Sequence, residues 1–161
     1  MVTNTIVVDD IEYYLQADKD TYYQCENVDI LFKVTNLGNE VLWIGTSYPI
    51  LDLLVFEEEG ESYNQIWNWS WDKIFPSGPV IFELQPNESV KLNDIWEQID
   101  LNNSTNLEDH NLVSPRSFRV SGFLNPTDTK VTLDIVIIPE PTSFLIFLTG
   151  GMLSLRKKRV N

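Results

Sequence analysis

Val28-Asp29-Ile30-Leu31-Phe32-Lys33-Val34-Thr35 runs directly into Asn36-Leu37-Gly38-Asn39. Val28, Ile30, Phe32 and Val34 fall at every second position. In an extended chain successive side chains point to opposite faces, so these four form one apolar row. A 3.6-residue period would scatter them around a helix. The Asn-Leu-Gly-Asn segment that follows is a turn signal, and Val41-Leu42-Trp43-Ile44 restarts the apolar pattern.

The same period governs the rest of the body. Val131, Leu133, Ile135 and Ile137 alternate with Thr132, Asp134 and Val136. Further β-rich runs lie at 13–17, 51–56, 66–71, 80–84, 89–95 and 118–124. Turn formers separate them: Glu59-Gly60-Glu61, Pro76-Ser77-Gly78-Pro79, Pro86-Asn87 and Asn125-Pro126-Thr127-Asp128. No body segment carries a sustained apolar helical stripe with caps. Short strands at even spacing predict an all-β fold, an antiparallel β-sandwich of immunoglobulin-like size. The stretch 101–111 (LNNSTNLEDHN) is polar and aperiodic and reads as a surface loop.

The chain has 161 residues, of which 43% are hydrophobic and 12% aromatic, enough to fill a core without disulfides or metals. The single cysteine, Cys25, excludes an internal disulfide and reads as a half-buried thiol in a strand or turn. Net charge is −13, from 11 Lys+Arg against 24 Asp+Glu. Four of the basic residues are the terminal run Arg156, Lys157, Lys158 and Arg159. The remainder therefore carries seven basic against 24 acidic residues, a net of −17. So acidic a body repels phosphate backbones and argues against nucleic-acid partners.

Between Tyr22 and Leu124 the order of segments resembles the BsuPI-type proteinase inhibitor domain. The matching pieces are V-T-N-L-G (Val34 to Gly38), an aspartate within an apolar run (Leu51-Asp52-Leu53-Leu54-Val55) and I-W-N-W-S-W-D-K-I-F, which holds Trp67, Trp69, Ser70 and Phe75. L-Q-P-N-E-S with Pro86, then Trp96, then R-S-F-R-V-S-G-F-L complete it. Asn87 stands where the family pattern usually has glycine, and asparagine also tolerates a left-handed turn. The resemblance implies an immunoglobulin-like sandwich and binding to a serine protease of the subtilisin type. Trp67, Trp69 and Trp71 share strand parity, and three indoles on one face are expected to pack in the core, with Ser70, Phe75, Pro86 and Trp96 completing the motif.

From Pro139 the pattern changes. Pro139, Glu140 and Pro141 cannot extend a central strand. They precede a twelve-residue apolar run, Phe144 to Leu155, and then Arg156-Lys157-Lys158-Arg159. This order resembles the PEP-CTERM sorting signal, which implies recognition by the membrane enzyme exosortase. Residues 1–138 are thus expected to form the sandwich and 139–161 a sorting tail containing a short hydrophobic helix, with the protein at the cell envelope. The competing reading is a C-terminal helix packed on the sandwich. Met1-Val2-Thr3-Asn4-Thr5 shows no secretion signal.

Material for catalysis is sparse. The one histidine, His110, lies in a polar loop without a nucleophile elbow or oxyanion signature, and no Gly-rich phosphate loop occurs. Asp100, Asn102, Ser104, Asn106 and Glu108 alternate as calcium ligands would. Thr105 stands where the sharp turn needs glycine, so a solvated loop is the better reading. The sequence therefore predicts a non-enzymatic binding domain needing no cofactor or metal, and the BsuPI resemblance implies, most specifically, a proteinase inhibitor. Its inhibitory element would be the turn 76–79 or the loop 101–113. The rival is a cell-surface display module without a protease partner.

Overall fold

The computed structural model describes residues 1–101 and 111–141, and among these every regular element is a strand. One sheet contains β1 (Val2–Val8), β2 (Ile11–Ala17), β4 (Val28–Asn36) and β9 (Ser89–Trp96), in the order β1-β2-β4-β9. The second contains β3 (Thr21–Tyr23), β6 (Leu51–Glu59), β7 (Ser62–Asn68), β12 (Ser117–Leu124) and β13 (Lys130–Ile138), in the order β3-β13-β12-β6-β7. Two ribbons stand apart, β5 (Leu42–Thr46) with β8 (Val80–Leu84), and β10 (Ile99–Asp100) with β11 (Asn111–Leu112).

The apolar row of β4 is the centre of the core, with Val28, Ile30, Phe32 and Val34 all fully buried. Tyr13 and Leu15 flank it on β2, while Val120 and Leu124 on β12 and Ile135 on β13 belong to the same buried cluster. Each such side chain contributes roughly 1.5–3 kcal/mol by leaving water. Across the two sheets Trp96 meets Phe118 edge-on, with centroids 5.3 Å apart. The Trp96 indole N–H donates to the Ile99 carbonyl at 3.1 Å, so its one polar group is satisfied in a dry place. Gly122 on β12 lets the sheets approach closely: a Cβ there would lie 2.5 Å from the Phe32 ring.

Turn chemistry follows the sequence at two informative points. Buried Asn36 ends β4, its amide donating to the carbonyls of Glu40 and Leu84 while its oxygen accepts from the Gly38 N–H. Asn87 adopts φ 64°, the left-handed geometry that asparagine supplies in place of glycine.

Four expectations require correction. The sheets are not wholly antiparallel, because the short strand β3 pairs parallel to the end of β13. Strand β1, absent from the alternation reading, pairs along its whole length with β2 across Asp9 and Asp10, both at positive φ. Cys25 is exposed rather than half-buried, since it occupies a left-handed turn position at φ 69°. The run 66–71 is not one strand: β7 ends at Asn68, and Trp69 and Trp71 lie beyond it. The expected C-terminal helix falls outside the described residues.

Candidate functional site

Strand β6 is buried on both sides from Leu51 to Val55. Leu51, Leu53 and Val55 face the core, whereas Asp52 alternates onto the other side and is nonetheless only 3% exposed. The tryptophan segment covers it. A register shift in the β6–β7 pairing at Val55/Phe56 breaks the alternation. The Trp69 N–H still reaches the Leu53 carbonyl at 2.9 Å, but the chain then folds over Asp52. Ser70 Oγ lies 2.7 Å from Asp52 Oδ2 and 2.8 Å from Asn68 Oδ1. The Ser70 N–H also donates to Asn68 Oδ1, and the Leu53 N–H to Asp52 Oδ1. Burial pushes the Asp52 carboxyl above its ordinary range, although hydrogen bonds from Ser70 and the Leu53 N–H oppose that shift.

The buried clamp holds a turn whose side chains splay to both sides. The Lys73 ammonium stands 4.9 Å from the centre of the Trp69 ring, 3.0 Å from Asp72 Oδ1 and 3.7 Å from Asp94 Oδ2. Phe75 packs on Trp69 at 5.8 Å and stacks nearly parallel on Tyr48 at 6.1 Å. Between these two pinned residues Ile74 is 100% exposed. On one side lies a polar groove of about 420 Å³, lined by Trp67, Asp72, Lys73, Asp94 and Glu97 among others. On the other is an apolar groove of about 240 Å³, whose lining includes Tyr48, Ile50, Trp69, Phe75 and Leu92. The turn at 69–75 is thus a ridge between two depressions.

Of the motif residues, the structure gathers Trp67, Trp69, Ser70 and Phe75 at this ridge. It places Trp96 in the core and leaves Pro86 exposed on the turn after β8. The expectation that Trp67, Trp69 and Trp71 fill the core is overturned: Ile66 is the buried residue of β7, Trp67 and Trp69 are half-buried at its margin, and Trp71 is 46% exposed. The physical cause is the register shift together with the early end of β7 at Asn68. Ser70 and Phe75 likewise lie at the margin and not inside. Alternation arguments hold only while the chain stays extended.

Tyr48, Asn68, Lys73 and Ile74 were not singled out from sequence. The one available signal was Asn68-x-Ser70, a spacing that lets an asparagine cap the turn that follows. The turn 76–79 is exposed and follows directly from the ridge, with Gly78 at φ 127°. Within 101–113, Val113 is buried and its N–H donates to the Gln98 carbonyl. His110 and the oxygen ligands Asn102, Ser104, Asn106 and Glu108 lie outside the described residues, whereas Asp100 pairs with Asn111 in the small ribbon. Pro139, Glu140 and Pro141 are exposed immediately after β13, and Arg156, Lys157, Lys158 and Arg159 lie outside the described residues. Among the described residues no helix is long and apolar enough to cross a membrane.

No family model and no curated protein matches the chain. Solved structures with a similar backbone include a β-glucosidase from Erythrobacter marinus (TM-score 0.48, 10% identity, covering 85% of this chain and 15% of that one). Others are the sporulation control protein Spo0M from Bacillus subtilis (TM-score 0.48, 14% identity, 92% and 56%) and the Pseudomonas fluorescens alkylpurine DNA glycosylase AlkC (TM-score 0.48, 10% identity, 80% and 30%). The chain spans between 15% and 56% of the length of these three proteins.

Proposed function

We propose that this protein is a non-enzymatic protein-binding domain, an immunoglobulin-like sandwich of BsuPI type that inhibits a subtilisin-like serine protease. In this reading the tail 139–161 is an exosortase-recognised sorting segment that brings the inhibitor to the cell envelope. The observation that carries the inhibitor reading is the clamped ridge at 69–75, where buried Asp52 and the Tyr48–Phe75 stack hold a turn rigid while Ile74 stays wholly in water. An inhibitor needs no catalytic group. It needs a loop ordered before binding, so that little conformational freedom is lost on association. The motif that suggests the family, W-N-W-S with an aspartate in the preceding strand, coincides with the residues that make the clamp.

Titration of the purified protein against a panel of subtilisin-like serine proteases at micromolar concentration tests the reading. Stoichiometric loss of activity with at least one enzyme, and a complex on size exclusion, are expected. No inhibition and no complex across the panel would transfer the weight to the display-module reading. That alternative draws on Pro139, Glu140 and Pro141, which stand exposed where a linker to an envelope anchor would begin.

A further inference from the structure

We infer that Ile74 is the side chain that fills the primary specificity pocket of the target protease, and that this pocket is apolar. The inference rests on the inhibitor reading above and names the residue on which that reading turns. A branched aliphatic side chain left 100% exposed gains nothing from the fold that carries it. Its neighbours are held on both sides, Lys73 by Trp69, Asp72 and Asp94, and Phe75 by Tyr48 and Trp69. Pro76 fixes its own φ and keeps Phe75 out of the helical region, so the chain leaves Phe75 extended directly after Ile74. A projecting apolar residue between two pinned neighbours, with grooves on either flank, suits a cleft that binds a projecting loop. Isoleucine offers no charge to a pocket with a carboxylate at its base, so trypsin-like enzymes are excluded as targets.

The same geometry explains why the ridge would inhibit and not simply be digested. Attack by the protease serine Oγ on the Ile74 carbonyl carbon breaks the C–N bond to Phe75 and forms an acyl ester at Ile74. The serine proton passes through the enzyme's histidine to the Phe75 amine. In an ordinary substrate that amine diffuses away and water hydrolyses the ester. Here the Phe75 ring stays packed on Tyr48 and Trp69, which keeps the amine beside the ester at high effective concentration. The amine re-attacks, the peptide bond re-forms, and the proton returns to the serine.

Inhibition constants of the full chain against subtilisin, elastase and trypsin, for wild type and three variants, test this. Wild type should inhibit one or both of the first two and not trypsin. Ile74→Asp should weaken inhibition at least about 30-fold, the scale of a lost anchor residue, with an unchanged melting temperature. Ile74→Lys should transfer inhibition to trypsin. Tyr48→Ala should release the amine and convert the inhibitor into a substrate, giving fragments cut between Ile74 and Phe75 by mass spectrometry. If wild type inhibits and Ile74→Asp inhibits equally well, the inference is overturned and the inhibitor reading survives on another surface. If wild type inhibits none of the three, both fall.

Discussion

Asp52 is an acid set where water barely reaches, beneath the residues 68–70 that cover it. Ser70 has one hydroxyl hydrogen and two acceptors within reach, Asp52 Oδ2 and Asn68 Oδ1. The hydroxyl hydrogen goes to Asp52 Oδ2, and Asn68 Oδ1 accepts from the Ser70 N–H. Burial outweighs these hydrogen bonds and raises the folded-state pKa above the ordinary value. A group whose folded pKa exceeds its unfolded value adds stability that is fully present below the unfolded pKa and is lost as pH rises through the folded one. Asp52→Asn keeps the shape and an amide oxygen to accept from Ser70 but cannot ionise. Urea unfolding midpoints measured from pH 4 to 7.5 should therefore fall for wild type relative to the variant as pH increases. Parallel curves would mean that Asp52 is ionised in the native protein. Nothing in the run Leu51-Asp52-Leu53-Leu54-Val55 signals this from sequence, because the covering residues come from 68–70.

At the scale of strands, the alternation in β4 and β13 was legible because both keep one face in the core for their whole length. Strand β1 was not, since Val2–Val8 buries only Val2 and Ile6 in part and so carries no full apolar row. Its hairpin signal, Asp9-Asp10 between apolar residues, lacks the glycine that usually marks a turn with two positive φ values. The tryptophan segment failed differently: its period of two was real, but the shift at Val55/Phe56 ended the strand to which it applied. Close contact between elements is equally hidden in sequence, and Gly122 is the test. A methyl group there meets the Phe32 ring at 2.5 Å, and Phe32 is fully buried with no room to yield. Gly122→Ala should cost about 1–3 kcal/mol by overpacking. Adding Phe32→Leu should recover part of that loss, so the double variant unfolds later than the sum of the singles requires. Additive thermal shifts would show that the sheets relax apart instead.

For the molecule as a whole, charge is the property most plainly written in the sequence, and it divides the chain unequally. Outside residues 156–159 the net charge is −17, while those four residues are all basic. Strand β13 ends at Ile138, its carbonyl bonded to the Gln24 N–H, and Pro139, Glu140 and Pro141 follow in solvent. The proline pair cannot join the ladder. Twelve residues, the length of the apolar run Phe144 to Leu155, would reach about 18 Å if helical, short of the roughly 30 Å hydrocarbon layer. Spanning would draw on the flanking residues and on the long basic side chains reaching to the interface. Arg156, Lys157, Lys158 and Arg159 each add about 1 kcal/mol of attraction at an anionic cytoplasmic leaflet, which the acidic body does not share. Basic residues beside an apolar run favour the cytoplasmic side for that end of it. In a host with exosortase, the full-length protein should fractionate with the envelope, and replacing the four basic residues by glutamine should release it. An intact protein that stays in the cytosolic fraction would overturn the sorting role, leaving the apolar run to pack against the sandwich.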